Sequence, residues 1–443
     1  FALGLLYWLY ERDMDTTINF LKKKFKKKPD IVEANTRALK AGFYFGDTIE
    51  AIRTTYKISK ADFKKGTYRN VMGNPALGMG LLAASQKSEI DLFFGGYPIT
   101  PASDILHFLS QYKSLGVKTF QAEDEIAGIC SALGASFSGN LGITASSGPG
   151  IALKAEAMGL AVVTELPIVI INIQRGGPST GLPTKTEQAD LMQALHGRNG
   201  EAPMVILAPQ SPGDCFYMAF EACRIALEYM MPVMFLSDGY LANGSEPWEV
   251  PDLNDLPKIK TRKINSSKEE FMPYERDKKT LARLWAIPGT KGMEHRIGGL
   301  ETENITGHVS YDPDNHESMV KLRSEKVEAV SDIIPDVVPF GDETGDVVVV
   351  GWGSTYGAIR TAVEKCRNEQ KSVSHIHLRY INPLPKNLGE ILLRYKKVIV
   401  PEMNLGQLNS ILRSKFLIDS IGLNKVQGKP FTVEEIYNKI IEG

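Results

Sequence analysis

Chemistry-bearing side chains in this sequence follow apolar, strand-like runs. The first such segment is GGYPITPASD (95–104), in which two glycines and two prolines restrict the backbone while Tyr97, Thr100 and Ser103 offer hydroxyl groups. A rigid turn that presents Thr100 to a cavity is one interpretation. The other is an ordinary helix entry, capped by Ser103 or Asp104. Composition favours neither.

A second segment, FQAEDEIAG (120–128), places three acidic residues between a strand and a helix. Successive helical residues point about 100° apart, so only one of Glu123, Asp124 and Glu125 can face a given ligand. The alternative is structural, because acids at a helix N-terminus stabilise the helix dipole by roughly 0.3–1 kcal/mol each. That alternative accounts for most sequences with this pattern.

Two further segments carry groups suited to binding anions. TASSGPG (144–150) joins a strand to a helix, and backbone N–H groups at that helix start can bind an anion, although the GK[ST] of a Walker loop is missing. IVIINIQRGGPSTGLPTKTEQADL (168–191) leads Arg175 out of an apolar strand into a loop of small residues. A guanidinium there can bind a carboxylate through two parallel hydrogen bonds. The structural alternative is an ion pair with a nearby acid.

Other catalytic signatures are weak. No GxSxG motif is present, and His375 and His377 lie two residues apart on a predicted strand, where we expect packing. GWGSTYG (351–357) approximates a dinucleotide fingerprint, but its last glycine comes one residue late. The four cysteines are scattered, with no CxxC and no Cys/His cluster. The sequence therefore predicts no metal or iron–sulfur ligands in this chain, and a reducing cytoplasmic location.

The elements that would position these segments alternate apolar runs with amphipathic helices, typical of an α/β fold. The clearest helix is 125–137, with an apolar stripe along one side. The predicted strands lack polar alternation, which indicates a doubly wound parallel sheet buried on both faces. These strands are 92–95, 118–121, 142–145, 168–173, 204–208 and 233–236.

The chain divides into five predicted regions. Residues 1–55 are helical by pattern, and 56–73 form a linker. The large α/β domain covers 74–250, and a polar segment, 251–343, is too long for a simple loop, so we expect it to wrap across the core or line an interface. A second α/β domain covers 344–443, with predicted strands VVVVGWG, SHIHLRYI and KKVIVPE.

Composition excludes several classes of protein. The chain has 443 residues and a formal net charge of −1, which gives no electrostatic reason to expect nucleic acid or an anionic membrane as a partner. The opening FALGLLYWLY is too short to span a bilayer and has no initiator Met, so we expect it to be a helix within a longer product. The lysines of 22–28 complement the dipole at a helix end, which is favoured over a nucleic-acid patch.

Taken in order, these segments resemble the alpha subunit of 2-oxoacid:ferredoxin oxidoreductases. The similarity joins YPITPASD, QAEDEIAG, SSGPG and QRGGPSTGLPTKTEQADL, and it continues through HGRNGEAP (196–203), GGLETENITGHVSYDPDNH (298–316) and VPEMNLGQL (400–408). It covers essentially residues 70–443, while residues 1–55 resemble the end of a gamma domain fused ahead of alpha in many members. The resemblance implies a thiamine-diphosphate pyrimidine-type domain and a transketolase C-terminal-like α/β domain.

The resemblance also implies roles for individual residues. The position of Glu123 matches the carboxyl group that hydrogen-bonds N1′ of the aminopyrimidine, and Tyr97 is expected to contact the cofactor. Thr100 matches the position that lines the reacting centre. Arg175 matches the arginine that anchors the substrate carboxylate, with the hydroxyl of Thr184 beside it.

The implied reaction is the reversible, coenzyme A-dependent oxidative decarboxylation of a 2-oxoacid, favoured to be 2-oxoglutarate, with reduction of ferredoxin. No convincing GDG motif for Mg²⁺ and diphosphate is present; SDGY (237–240) is the nearest. Mg²⁺ and the [4Fe-4S] cluster are therefore expected on a beta subunit that shares the thiamine diphosphate, in a heterotetramer. Alternatives are a pyruvate or branched-chain 2-oxoacid substrate, a ferredoxin-independent decarboxylase or transketolase-like subunit, and an inactive scaffold.

Overall fold

The computed structural model describes residues 1–49, 54–264 and 271–442. The predicted helical region, residues 1–55, and the polar segment 251–343 therefore include stretches, 50–53 and 265–270, that lie outside the described residues. The chain forms two compact units, Phe1–Gly66 and Thr67–Gly443. No helix in the described ranges has both the length and the apolar character needed to cross a membrane.

The first unit is helical, as its sequence pattern indicates. Its helices are α1 (Ala2–Leu9), α2 (Asp15–Lys24) and α3 (Pro29–Ile49). Helices α1 and α3 cross closely at two glycines. A Cβ at Gly4 would lie 1.9 Å from the carbonyl oxygen of Leu39, and one at Gly42 would lie 1.9 Å from that of Phe1. Larger residues at either position would push the helices apart.

The second unit contains the remaining helices and strands. The helices are α4 (Gly73–Ser88), α5 (Ser103–Leu109), α6 (Glu125–Phe137), α7 (Gly148–Leu153), α8 (Ala155–Thr164), α9 (Leu191–His196), α10 (Asp214–Tyr229), α11 (Gly239–Asn243), α12 (Pro313–Glu328), α13 (Tyr356–Asn368), α14 (Leu388–Leu392), α15 (Gln407–Phe416) and α16 (Val433–Ile441). The strands are β1 (Tyr68–Met72), β2 (Leu92–Gly96), β3 (Lys118–Gln121), β4 (Leu141–Ser146), β5 (Ile168–Gln174), β6 (Val205–Leu207), β7 (Pro232–Asp238), β8 (Ser245–Glu249), β9 (Lys263–Ile264), β10 (Trp285–Ala286), β11 (Gly345–Trp352), β12 (Val373–Leu378), β13 (Tyr380–Asn382), β14 (Tyr395–Glu402) and β15 (Ser420–Asn424).

The large sheet has the strand order β13-β6-β7-β5-β4-β2-β3 and is parallel except at β13. Both faces are covered, which explains the uninterrupted apolar strands. Along β5, Val169 and Ile171 point into the core beneath α4 and α10, whereas Ile168 and Ile170 point into the core beneath α6 and α8. The predicted doubly wound α/β class is confirmed.

The smaller sheet has the order β12-β11-β14-β15 and is parallel. Along β11, Val347 and Val349 pack with α13 and α16, while Val348 and Val350 join the core that includes Ile168 and Ile170 of the large sheet. The two sheets therefore share one apolar core.

Two features of the sheets differ from the sequence expectation. The predicted single strand SHIHLRYI is wrong, because it divides into β12 and β13, and β13 pairs antiparallel with β6 of the other sheet. At the division, Arg379 turns to Asp214 with an Nε–Oδ2 distance of 3.0 Å. Strand β1 lies in the region expected to be a linker, and it pairs antiparallel with β8.

The segment between the two sheets wraps across the large unit. Ile259, Ala282 and Trp285 are buried in the core beneath α4 and α10. The indole N–H of Trp285 donates to the carbonyl of Ser136, 3.1 Å away. Helix α12 adds Val327 to the same core. The described residues of this polar segment therefore wrap across the core, which is one of the two roles considered for it.

Candidate active site

The chemistry-bearing segments meet at one edge of the large sheet. Strands β2, β3, β4 and β5 are mutually parallel, and each of the four segments identified in the sequence runs through the carboxyl end of one of them. In the sheet, β2 lies between β3 and β4. The chain passes from β2 to its neighbour β3 on one side and from β4 to its neighbour β5 on the other, so the direction of the connections reverses between β2 and β4. Ligands in open parallel sheets bind at the carboxyl ends of strands beside such a reversal.

A cavity of about 500 Å³ opens at this edge. Its walls come from the segment after β2, the loop after β5 and the helix after β7. The hydroxyl-bearing side chains of Thr100 and Thr184 are exposed and line the cavity together. The other lining residues are Pro101, Ser103, Asp104, Pro183, Gly239 and Asn243.

Arg175 lies at the end of β5 and is 6 % exposed. Its Nη1 donates to the carbonyl of Thr100 at 2.6 Å, and its Nη2 donates to the carbonyl of Thr180 at 3.0 Å. The guanidinium thus ties the segment after β2 to the loop after β5. Its Nε–H is buried without a partner in the described structure, and Arg175 is not among the residues that line the cavity.

The loop that follows Arg175 is held in one conformation by its own backbone. The Leu182 N–H donates to the Gly176 carbonyl at 2.8 Å, and the Gly176 N–H donates to the Lys185 carbonyl at 2.9 Å. Gly181 has φ +49°, and a Cβ there would lie 2.0 Å from the Gly176 carbonyl oxygen. Glycine is therefore required at this position.

The polar run at the end of the loop attaches it to other elements. The Thr186 hydroxyl donates to Oδ1 of Asp238 at 2.9 Å. The Gln188 side chain donates to the Trp352 carbonyl at 2.8 Å and accepts from the Met403 N–H at 3.2 Å. A Cβ at Gly353 would lie 2.6 Å from Nε2 of Gln188, so close packing explains this glycine of GWGSTYG.

The acidic segment after β3 separates into three environments. Glu123 is exposed, and its side chain makes no hydrogen bond or ion pair to another residue in the described ranges. Asp124 caps α6, accepting from the Ala127 N–H at 2.8 Å. Glu125 is buried, and its carbonyl accepts from Nζ of the fully buried Lys154 at 2.7 Å. These contacts fix the start of α6, two residues after Glu123 in the chain.

Burial changes the acidity of the groups around the SSGPG segment. It lowers the pKa of Lys154 to about 8 and raises the pKa of Asp190. The amide of Asn172 donates to Asp190 at 2.9 Å, and a Cβ at Gly148 would lie 3.1 Å from the same carboxylate. Helix α7 is only six residues long, and the glycines of this segment serve close packing.

The structure brings together only some of the predicted site residues. Thr100 and Thr184 line the cavity, whereas the buried Arg175 does not line it and is joined to it through the Thr100 carbonyl. Tyr97 and Glu123 follow adjacent strands at the same sheet edge, but neither lines the cavity. The sequence did not single out the buried Asp238, because SDGY resembles only a degenerate diphosphate motif. In the described residues no group of three or more His, Cys, Asp or Glu side chains is arranged to hold a metal ion.

Two protein families match the chain, one over β2 to β7 of the large sheet and one over the small sheet together with β13. A family described as pyruvate flavodoxin/ferredoxin oxidoreductase, thiamine diphosphate-binding, matches residues 86–311. A second, pyruvate:ferredoxin oxidoreductase core domain II, matches residues 345–436. The matched regions contain the large and the small sheet, so the expected thiamine-diphosphate fold class is confirmed.

Individual relatives agree with these matches. The chain is 56% identical over 438 residues to 2-oxoglutarate oxidoreductase subunit KorA of Mycobacterium tuberculosis, covering 98% of this chain and 66% of that protein. It is 32% identical over 463 residues to the alpha subunit of 2-oxoacid:ferredoxin oxidoreductase 1 of Aeropyrum pernix, covering 99% of this chain and 70% of the relative. The chain thus spans about two thirds of the length of each.

A solved structure is similar over the whole chain. It is the 2-oxoglutarate:ferredoxin oxidoreductase from Magnetococcus marinus with 2-oxoglutarate, coenzyme A and succinyl-CoA bound. The TM-score is 0.90 at 33% sequence identity, and the match covers 100% of this chain and 76% of that one.

Proposed function

Because the chain belongs to the 2-oxoacid:ferredoxin oxidoreductase family, as an alpha subunit, we propose that it takes part in the coenzyme A-dependent oxidative decarboxylation of 2-oxoglutarate. The products are succinyl-CoA and CO₂, and the electrons pass to ferredoxin. The single observation that carries this proposal is the cavity lined by Thr100 and Thr184, with the Arg175 guanidinium tied to the backbone of Thr100.

Substrate choice rests on the groups around the cavity and on the relatives. A dicarboxylate needs hydrogen-bond donors at both ends. Thr100 and Thr184 supply two hydroxyls with no partner in the described structure, and Arg175 supplies a buried, unpaired Nε–H. The Mycobacterium tuberculosis relative is a 2-oxoglutarate oxidoreductase, and the Magnetococcus marinus structure contains 2-oxoglutarate. Pyruvate and branched-chain 2-oxoacids lack the second carboxylate.

The sheet edge fits thiamine diphosphate through Glu123 and Tyr97. A carboxyl group beside N1′ of an aminopyrimidine must be free of internal ion pairs, and Glu123 meets that condition in the described residues. Asp124 and Lys154 hold the chain on its C-terminal side, so the carboxylate is presented from a fixed backbone. When bound, the cofactor accepts the electron pair released on decarboxylation. Thr100 then orients the substrate, and Glu123 holds a proton at N1′.

A partner chain completes the site in this proposal. Tyr97, Thr100, Glu123 and Thr184 are all exposed at one edge, where a second protein surface would exclude water from them. We assign the diphosphate half of the cofactor, Mg²⁺ and the [4Fe-4S] cluster to a beta subunit at this edge. The assembly is then a cytoplasmic heterotetramer that binds ferredoxin and coenzyme A.

The proposal is tested on the complex purified with its native partner chain. Viologen reduction is followed with coenzyme A and, in separate assays, 2-oxoglutarate, pyruvate and a branched-chain 2-oxoacid. We expect a rate with 2-oxoglutarate at least about tenfold above the others, since a substrate without the second carboxylate leaves the buried Arg175 Nε–H unpaired. A preference for pyruvate overturns the substrate assignment. No coenzyme A-dependent reduction by a complex with intact cluster and thiamine diphosphate overturns the reaction.

A further inference from the structure

Asp238 is a buried carboxylate that no role assigned above uses. It ends β7, is 1 % exposed, and caps α11 by accepting from the N–H groups of Tyr240 at 2.9 Å and Leu241 at 3.2 Å. The same Oδ1 accepts from the Thr186 hydroxyl, and Oδ2 accepts from the Ser354 N–H at 3.3 Å. It forms no ion pair with any residue in the described ranges, so these donors alone solvate its charge.

The groups that donate hydrogen bonds to Asp238 belong to three different elements, two of which line the cavity. Thr186 lies two residues after Thr184, which lines the cavity from the loop after β5. Gly239 follows Asp238 directly and lines the cavity from α11. Ser354 belongs to the turn between β11 and α13, in the region that matches core domain II. One carboxylate therefore joins the loop, the helix and the small sheet.

Backbone hydrogen bonds within the loop hold Leu182 and Lys185 on either side of Thr184. The other side-chain hydrogen bonds that attach the loop to the rest of the protein lie farther from Thr184 than Thr186 does. Gln188, four residues after Thr184, forms hydrogen bonds with Trp352 and Met403. Arg175 holds Thr180 at the other end of the loop. Among the described side-chain contacts, the Thr186–Asp238 hydrogen bond is the one nearest to Thr184 in sequence.

We propose that Asp238 is a positioning residue. By accepting hydrogen bonds from the Thr186 hydroxyl and the Ser354 amide, it holds the loop so that Pro183 and Thr184 lie across the cavity from Thr100. The small sheet thereby contributes to substrate binding. This inference rests on the proposed function, because it assigns 2-oxoacid binding to the Thr100–Thr184 cavity.

The kinetic test uses a matched set of threonine variants in the complex with its partner chain. T186V keeps the shape and removes the hydroxyl, whereas T186S keeps the hydroxyl. T164V is the control: it removes another buried threonine hydroxyl, whose bond to the Leu160 carbonyl is 2.6 Å long. We expect T186V to raise the KM for 2-oxoglutarate about tenfold, equivalent to about 1.4 kcal/mol. T186S restores the KM, and T164V leaves it unchanged. Equal KM values for T186V and wild type overturn the proposal.

A second measurement does not depend on activity. Hydrogen exchange of a peptide covering 176–188 is compared between T186V, T186S and T164V, each in its purified complex. Faster exchange of that peptide in T186V alone supports the positioning role, even if the wild type lacks 2-oxoacid activity and the proposed function fails. Uniformly faster exchange throughout the T186V protein indicates general destabilisation and overturns it, as does unchanged exchange in the peptide.

Discussion

Glu165 is a buried carboxylate within a cluster of cations, and its replacement gives the sharpest test of how the wrapping segment is held. Glu165 follows α8, is 2 % exposed and forms ion pairs with Arg276 and with Lys326 of α12. Arg283 is buried beside them and donates to the Thr164 carbonyl at 3.1 Å. All three cations belong to the segment between the two sheets, so Glu165 fastens that segment to the large sheet's helices.

The size of the effect follows from the pKa of Glu165. Burial alone raises it, but Lys326 and Arg276 together lower it from 4.5 to about 2. That lowering corresponds to roughly 3 kcal/mol of stability, which is present above about pH 4.5 and is lost as the pH falls towards 2. Burial, together with repulsion by Arg276 and Arg283, outweighs the attraction of Glu165 and lowers the pKa of Lys326 to about 8. Removing one partner from a buried pair costs about 3–5 kcal/mol, in agreement.

The assay is thermal unfolding of E165Q at pH 7. We expect the Tm to fall by at least about 5 °C, because Lys326 and Arg276 stay buried without an anion. The control is E317Q on α12, which removes an exposed pair with Lys321 and shifts the Tm by less than about 1 °C. A Tm for E165Q within about 1 °C of wild type would refute the view that this cluster anchors the segment.

Three further predictions concern the site and the small sheet. E123Q lowers turnover by at least about 10²-fold in the viologen assay, because it removes an acid–base group; near-normal turnover transfers the role to Glu125. R175A raises the KM for 2-oxoglutarate at least about tenfold, while thiamine diphosphate binding, followed by calorimetry, persists; unchanged kinetics remove Arg175 from the site. Burial lowers the pKa of His375 from 6.5 to about 3. Below about pH 6.5 the unfolded chain therefore binds a proton that the folded protein does not, and the folded state loses about 1.4 kcal/mol of stability per pH unit. H375F therefore shows a flatter Tm profile between pH 6.5 and 4 than wild type, and an identical profile would contradict the burial argument.

Much of the large sheet was predictable, because strands buried on both faces are continuous apolar runs. The six predicted strands agree with the structure to within two residues at each end. Helix α6 was placed correctly, since Asp124 caps it and its apolar stripe repeats with helical spacing. The division of SHIHLRYI into β12 and β13 was missed because the pairing of β13 with β6 depends on residues far apart in the chain. The β1–β8 ribbon was missed for the same reason.

The sequence pointed to candidate residues of the site but not to their connections. The composition around Thr100 and the position of Arg175 after an apolar strand drew attention to these two residues, whereas Thr184 was suggested by the family resemblance alone. Asp238 did not, because its partners Thr186 and Ser354 lie 52 and 116 residues away in the chain. Such contacts leave no local pattern, since a buried aspartate that caps a helix looks the same in sequence with or without them.

The length of the QRGGPSTGLPTKTEQ motif has a physical explanation in these attachments. A loop rich in glycine loses much conformational entropy when it is ordered, so it stays in one conformation only if several side chains hold it. Arg175 holds the first half through Thr180, and Thr186 and Gln188 hold the second half through Asp238 and Trp352. With both halves fixed before a ligand arrives, less ordering remains to oppose binding. Replacing one attachment should therefore weaken substrate binding even where the replaced side chain never touches the substrate.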